Sequence, residues 1–403
     1  MTPDQPTLQF IRQHREEDIH RLALKYAAST DVDLPLALQQ IEGWQKARHK
    51  LPSWAACEGL LYPPPLSMEL GSSEVTALYK AEICRRITDH GPKPTLLTDL
   101  TGGYGVDFAF MARGFDRSTY IERQPVLCAT ARHNFALLGL DAVTIQEGDS
   151  MELLDTLPPQ TLLYADPARR DLQGRRTFGI ADCTPDLLAH RHQWLNKARH
   201  TLIKLSPMLD WHKAVSDLNQ GLDKPVVSEV HIVATGNECK ELLLLVTPQN
   251  GSESPTVTCV NDGQLFSCNP QEEAVPPRYA EPEEGGLLYE PNAAIMKAGC
   301  FAHLSQAFCL QPLSPNSHLF LSPTLSDAFP GRRFTVLSVC SLNKKQLRQA
   351  LQDIDRANIA VRNFPLTAPE LRRRLRLADG GPTYIFGTTD VQGQHCLFIC
   401  TKM

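Results

Sequence analysis

At 403 residues and 44.8 kDa the chain is longer than one ordinary domain, and two to four folded units are expected. With 42% hydrophobic and 21% charged residues it has a globular composition, and no apolar run reaches the ~18–20 residues that cross a bilayer. A formal charge of -5 excludes a protein held on nucleic acid by bulk charge. Local basic runs at 168–170, 174–176, Arg332 with Arg333, and 371–376 leave RNA open as a partner.

Residues 1–65 are read as an N-terminal helical segment. "FIRQHREEDIHRLALKYA" brings Phe10, Ile11, Ile19, Leu22 and Leu24 near one face, and "LPLALQQIEGWQKARHKLP" continues the helical spacing. The run "LYPPPLSMEL" breaks helix and predicts an extended connection. The first twenty residues lack the basic start and apolar middle of a secretory signal.

Residues 66–248 alternate apolar strands with amphipathic helices, the pattern of an α/β Rossmann-like sheet. The predicted strands are "TLLTDLTG", "RSTYIE", "VTIQEGD", "TLLYADP", "TLIKLSP", "VSEVHIVAT" and "ELLLLVTP", seven in all. The last two are too close for a parallel crossover and are expected to form an antiparallel hairpin. Residues 249–330 are read as linker and a small ferredoxin-like β/helix segment, with a strong helix over "LLYEPNAAIMKAGCFAHLSQAF". Residues 331–403 alternate strands and helices in a small α+β domain that packs helices on one face of a sheet.

The twelve cysteines form no C-x-x-C pair and several sit in apolar runs, so they are read as buried free thiols of a cytoplasmic protein. No metal site is expected.

The chemistry gathers at strand ends. Gly102, Gly103 and Gly105 follow the strand ending in Asp99 and precede a helix, a turn in which backbone N–H groups can approach a ligand closely. A dinucleotide fingerprint would need a small residue where Phe108 stands. Glu122 ends the second strand, where a carboxylate can take ribose hydroxyls. Asp149 ends the third and either meets an adenine or caps the next helix. Asp166 follows the fourth strand as the substrate-facing candidate, with Tyr104 and Lys204 as secondary candidates.

The series "DLTGGYG", "YIERQP", "EGDS", "YADPARR" resembles motifs I to IV of class I S-adenosylmethionine-dependent methyltransferases, over about residues 66–248. The first two pieces look like the small-subunit rRNA guanine-N2 methyltransferases. The resemblance implies S-adenosylmethionine as cofactor, with Asp99, Gly103 and Gly105 framing its methionine part and Thr101 and Tyr104 among its other binding residues. It implies Glu122 at the ribose, Asp149 at the adenine edge, and Asp166 at both cofactor and acceptor. It also implies an rRNA or tRNA base as substrate. Amino-group methyltransferases carry Asp/Asn-Pro-Pro-aromatic at motif IV, where this chain has Asp166-Pro167-Ala168-Arg169. "DPAR" also resembles the RNA uracil-C5 methyltransferases, which need a cysteine nucleophile. "FSCNP" offers Cys268 for that role, outside the methyltransferase segment. The C-terminal domain, with its "LRRRLR" helix, looks like a THUMP-like module, which implies structured RNA held by shape and phosphate contacts. A packing or dimerisation domain is the alternative.

Overall fold

The computed structural model describes residues 3–89, 91–169, 179–272, 274 and 277–403. The basic run at 174–176 and Arg170 lie outside them. The chain divides into two compact units, 1–228 with 242–253, and 229–241 with 254–403.

The first unit opens with α1 (Gln5–His14), α2 (Ile19–Lys25) and α3 (Leu34–Lys50) around a core of Phe10, Leu22, Ala37 and Ile41. Each starts at an aspartate whose carboxylate accepts a first-turn amide: Asp4 from Thr7, Asp18 from Arg21, Asp33 from Leu36. A short α4 (Pro52–Ala55) follows. The proline run is extended only to Pro64. Helix resumes at α5 (Pro65–Leu70), because proline in a first turn loses no internal hydrogen bond. Next comes α6 (Glu74–Thr88), started by a Ser73–Thr76 capping box, for which the sequence pattern predicts no element.

The sheet of this unit contains β1 (Leu96–Asp99), β2 (Arg117–Glu122), β3 (Val143–Glu147), β4 (Gln160–Ala165) and β5 (Ala198–Leu205). These five are parallel in the order β3-β2-β1-β4-β5. The crossovers include α7 (Val106–Met111), α8 (Pro125–Leu137), α9 (Ser150–Leu153) and α10 (Arg191–Lys197). After β5, α11 (Trp211–Asn219) leads to β6 (Val227–Thr235) and β7 (Glu238–Val246), strands whose residues divide between the units. Residues Leu242–Val246 of β7 pair antiparallel with β5. The β6–β7 turn is Gly236-Asn237, with φ of 57° and 61°, the two-residue hairpin geometry that the short gap requires. Chain order reverses between β1 and β4, so the carboxyl ends of these strands flank the crevice where such sheets bind ligands. All six residues of β4 are buried, the mark of a central strand covered on both faces.

All seven expected strands form, and two more extend the sheet. In the second unit β8 (Thr256–Asn261) pairs parallel with β6 and antiparallel with β9 (Gln264–Cys268). The β part expected within 249–330 therefore forms at "TVTCV" and "GQLFSC" and continues the hydrogen bonding of β6, whose free edge would otherwise expose a row of unpaired backbone groups.

A second sheet of seven strands follows: β10 (Leu287–Pro291), β11 (Gln311–Pro312), β12 (Phe320–Ser322), β13 (Gly331–Ser341), β14 (Arg356–Arg362), β15 (Ala378–Thr389) and β16 (His395–Lys402). Its order is β11-β12-β10-β13-β16-β15-β14. The single helix expected over 287–308 is instead β10, α12 (Ala293–Ala298) and α13 (Phe301–Phe308). Asn292 accepts from the amides of Ala294 and Ile295 to start α12, and Gly299 at φ 76° ends it. Helices α14 (Lys344–Ala350) and α15 (Ala368–Leu375) pack on one sheet face against Cys340, Ile385, Leu397 and Ile399. The other face carries Phe334, Val336, Phe386 and Phe398.

Candidate active site

The loop between β1 and α7 sits on aromatic rings that dictate its glycines. A Cβ on Gly102 would stand 2.5 Å from the Tyr120 ring, and one on Gly105 would stand 2.5 Å from Phe135. Gly105 also has φ 70°, a left-handed conformation that glycine adopts without strain. Phe108 is fully buried, with ring centroids 5.6 Å from Tyr120 and 5.3 Å from Phe135. The place a dinucleotide fold gives to a small residue is thus a packed aromatic. The Tyr120 hydroxyl donates to the Gly103 carbonyl and fixes the crest of the loop.

A partly open cavity lies over this loop. Asp99, Thr101, Gly103, Tyr104, Gly105, Asp166 and Lys204 all line it. Pro63, Ser67, Met68 and Ser72, all ahead of β1 in the chain, also line it, a contribution sequence spacing does not show. Asp99 is 2% exposed and its Oδ1 accepts from the Thr101 amide at 2.8 Å. Burial pushes its carboxyl up to about 7, against the pull of Thr101. Burial likewise raises the Tyr104 phenol, opposed by its hydrogen bond with Ser67.

Glu122 and Asp149 stand at the neighbouring ends of β2 and β3, which pair with Glu122 opposite Glu147. Glu122 accepts the Gly103 amide at 2.9 Å and the Gln124 amide at 2.9 Å, tying the second strand end to the glycine loop. Asp149 accepts the Met151 amide at 2.9 Å and so caps α9. Neither residue lines the cavity itself.

Beside Asp166 lies a chain of alternating charges. Asp166 Oδ2 is 2.5 Å from Lys204 Nζ, and Lys204 Nζ is 3.3 Å from Asp107 Oδ2. Asp107 Oδ1 is 3.2 Å from Lys80 Nζ, a lysine with no exposed surface. The Tyr164 and Ser72 hydroxyls donate to Asp107 at 2.7 and 2.8 Å. Burial alone would raise the Asp107 carboxyl, but the two ammonium groups and two hydroxyls hold it well below the usual range. Lys204 is therefore an inward-facing part of the cavity wall, 12% exposed, rather than a surface lysine. Lys80, Asp107, Ser72 and Tyr164 escape sequence reasoning. The one available signal is Asp107, a charge inside the otherwise apolar "VDFAFM". Asp166 is held from a second side, since its amide donates to Thr101 Oγ1 at 2.7 Å.

Cys268 ends β9 in the second unit and is buried. Its hydrogen bond with Cys300, followed by burial, pushes the thiol up, the reverse of an activated nucleophile. All twelve cysteines are free. No helix among the described residues is long and apolar enough to cross a membrane.

A family model described as THUMP domain-like matches residues 331–402, and one described as a ferredoxin-like domain matches residues 287–330. A crystal structure from Porphyromonas gingivalis W83, assigned as a methyltransferase, is 32% identical in sequence with a TM-score of 0.82. The match covers 98% of this chain and 97% of that one. Uncharacterized S-adenosylmethionine-dependent methyltransferases from two strains of Mycobacterium tuberculosis, CDC 1551 / Oshkosh and ATCC 25618 / H37Rv, are each 27% identical over 290 residues. Those matches cover 70% of this chain and 74% of theirs.

Proposed function

This chain belongs to the class I S-adenosylmethionine-dependent methyltransferases with a C-terminal THUMP-like domain, and from that premise we propose that it methylates a base of rRNA or tRNA in the cytoplasm. The observation that carries the RNA reading is the outer side of the C-terminal helices. Leu347 and Ala350 of α14 and Leu371 and Leu375 of α15 pack on one sheet face. Lys344, Lys345, Arg348, Arg373, Arg374 and Arg376 are exposed. Six exposed cations on α14, α15 and the residue that caps α15 are local positive charge on an acidic protein, suited to phosphate contacts.

S-adenosylmethionine carries a sulfonium and an ammonium beside its carboxylate, and Asp99 and Asp166 line the cavity where those cations would be met. Asp99 lines the cavity as a buried carboxyl whose ionised form a bound cation would favour. We assign Asp99, Thr101, Gly103, Tyr104 and Gly105 to the methionine part. Glu122 is assigned to the ribose through its remaining lone pairs, and Asp149 to the adenine edge. When bound, S-adenosylmethionine supplies an electrophilic methyl on a sulfonium. Methyl transfer is an in-line displacement, so the chain's task is mainly to position the acceptor. Asp166 accepts a hydrogen bond from the acceptor base, and Lys204 together with Thr101 holds that carboxylate in place. Asp107 in turn fixes Lys204.

Transfer of tritiated methyl from S-adenosylmethionine to cellular RNA and to protein extracts tests the reading. Label in RNA is expected, and label only in protein would reject the RNA acceptor.

A further inference from the structure

Glu290 lies on β10 in direct register with Arg332 on β13, and its side chain is only 3% exposed. It is held by two guanidinium groups. Arg332 donates Nε to Oε2 at 2.7 Å and brings Nη2 to the same oxygen, while Arg362 at the end of β14 donates Nη2 to Oε1 at 2.9 Å. Both arginines keep about a third of their side chains open to solvent, 37% and 33%. Arg332 lies over the rings of Phe334 and Tyr384, at 5.6 and 5.9 Å. His318 stands beside Arg362, stacked on Phe301 at 4.1 Å, with its proton affinity lowered by burial and by that arginine.

A buried ion pair is costly to desolvate, and apolar residues of similar volume would stabilise a sheet face at least as well. One carboxylate between two arginines leaves a net positive charge. It also orders both guanidinium groups: Arg362 donates Nη1 to the Val361 carbonyl at 3.1 Å and buries its Nε, while Arg332, bound to Glu290 through Nε and Nη2, keeps 37% of its side chain open to solvent. That is the arrangement that grips a phosphate by paired N–H bonds, since the fork is ordered before the ligand arrives. The four residues come from two sequence segments, Glu290 and His318 from 287–330 and the arginines from 331–402.

We infer that Arg332 and Arg362, positioned by Glu290, form a phosphate-oxyanion site on the C-terminal sheet, and that its occupant is a backbone phosphate of the acceptor RNA. The choice of RNA rests on the proposed function; the anion site does not.

The test uses the full chain with Arg332→Gln, which leaves Arg362 to pair Glu290, and Arg332→Lys, which keeps the charge and loses the fork. Thermal melting checks that each is folded. Probes are unfractionated tRNA across a salt series, inorganic phosphate by calorimetry, and S-adenosylmethionine as a reference ligand of the other unit. Expected for Arg332→Gln is an approximately tenfold loss of tRNA affinity and a salt slope shallower by about one phosphate contact, ~0.7–0.9. Arg332→Lys should restore the slope and recover only part of the affinity. Inorganic phosphate binding lost with tRNA affinity unchanged would keep the anion site and assign it to a free phosphorylated molecule instead. Unchanged tRNA and phosphate binding in folded variants would overturn the site. A wild-type chain that binds phosphate and no RNA would fail the proposed function and leave the site standing.

Discussion

The cavity of the first unit and the arginine surface of the second handle charge in opposite ways. In the first, Lys80 is fully enclosed and Asp99 and Asp107 are buried, and each charge is met by a neighbour or pushed toward neutrality. In the second, only Glu290 is buried, and the cations it holds remain partly in water. Enclosed charges make a rigid cavity with a fixed charge pattern for one small ligand. Half-exposed cations make a surface that tolerates a large, flexible polyanion. Substitutions should therefore hurt stability and chemistry in the first unit, and affinity and its salt dependence in the second.

The largest effect is expected at the innermost pair. Lys80→Met leaves Asp107 with one ammonium partner in a buried setting, and breaking such a pair costs about 3–5 kcal/mol. Denaturant unfolding should show that loss, whereas a change below about 1 kcal/mol, the scale of an exposed pair, would erase the contrast between the two units.

Next is Asp166→Asn. If the carboxylate only positions the acceptor base, kcat should fall by roughly a hundredfold, the lower range of a well-placed proton acceptor, with S-adenosylmethionine affinity retained. Equal loss of cofactor affinity would move Asp166 from the acceptor to the cofactor.

A smaller effect is expected from pH. The Asp99 carboxyl is raised from 3.8 to about 7, so the ligand-free folded protein holds a proton that the unfolded chain releases near pH 4. Its contribution to stability is favourable at low pH, declines as pH rises from about 4 to 7, and is level above that. Cation binding runs the other way, because only the ionised carboxylate attracts the methionine ammonium. Cofactor affinity should rise about tenfold from pH 6 to 8 and flatten in Asp99→Asn, as one proton is displaced per pH unit below the raised value. Calorimetry at three pH values checks this, and a flat wild-type profile would count against Asp99 as the ammonium partner.

The smallest effect belongs to the helix surface. Arg373→Ala with Arg374→Ala should weaken RNA binding a few-fold and lower the salt slope by about one to two phosphate contacts, with unfolding unchanged. Unaltered binding would remove α15 from the RNA surface and leave the Arg332–Arg362 site as the stronger contact.

The same contrast explains what could be read from the sequence. Central strands such as "TLLYA" are legible because burial on both faces demands an unbroken apolar run. The glycine loop is legible because its backbone crowding admits no side chain at Gly102 and Gly105. Strands β8 and β9 are short and partly exposed, so "TVTCVN" and "QLFSC" look like isolated segments until β6 offers its edge. The cavity wall from Ser67, Met68 and Ser72 is invisible because it depends on how a proline-broken segment returns to a loop some thirty residues later. Lys80 lies in a stretch for which the sequence pattern predicts no element. Only the fold reveals that it faces Asp107 with no exposed surface. At Asp149 the residue type was legible, and the structure gives its Oδ1 to the α9 cap.

Mass spectrometry of nucleosides from rRNA and tRNA of a deletion strain, with the wild-type and Asp166→Asn genes returned in parallel, bears most directly on the whole account. One methylated base should disappear on deletion, return with the wild-type gene, and stay absent or strongly reduced with Asp166→Asn. A nucleoside profile identical in all strains would contradict the assignment of an RNA base as the methyl acceptor.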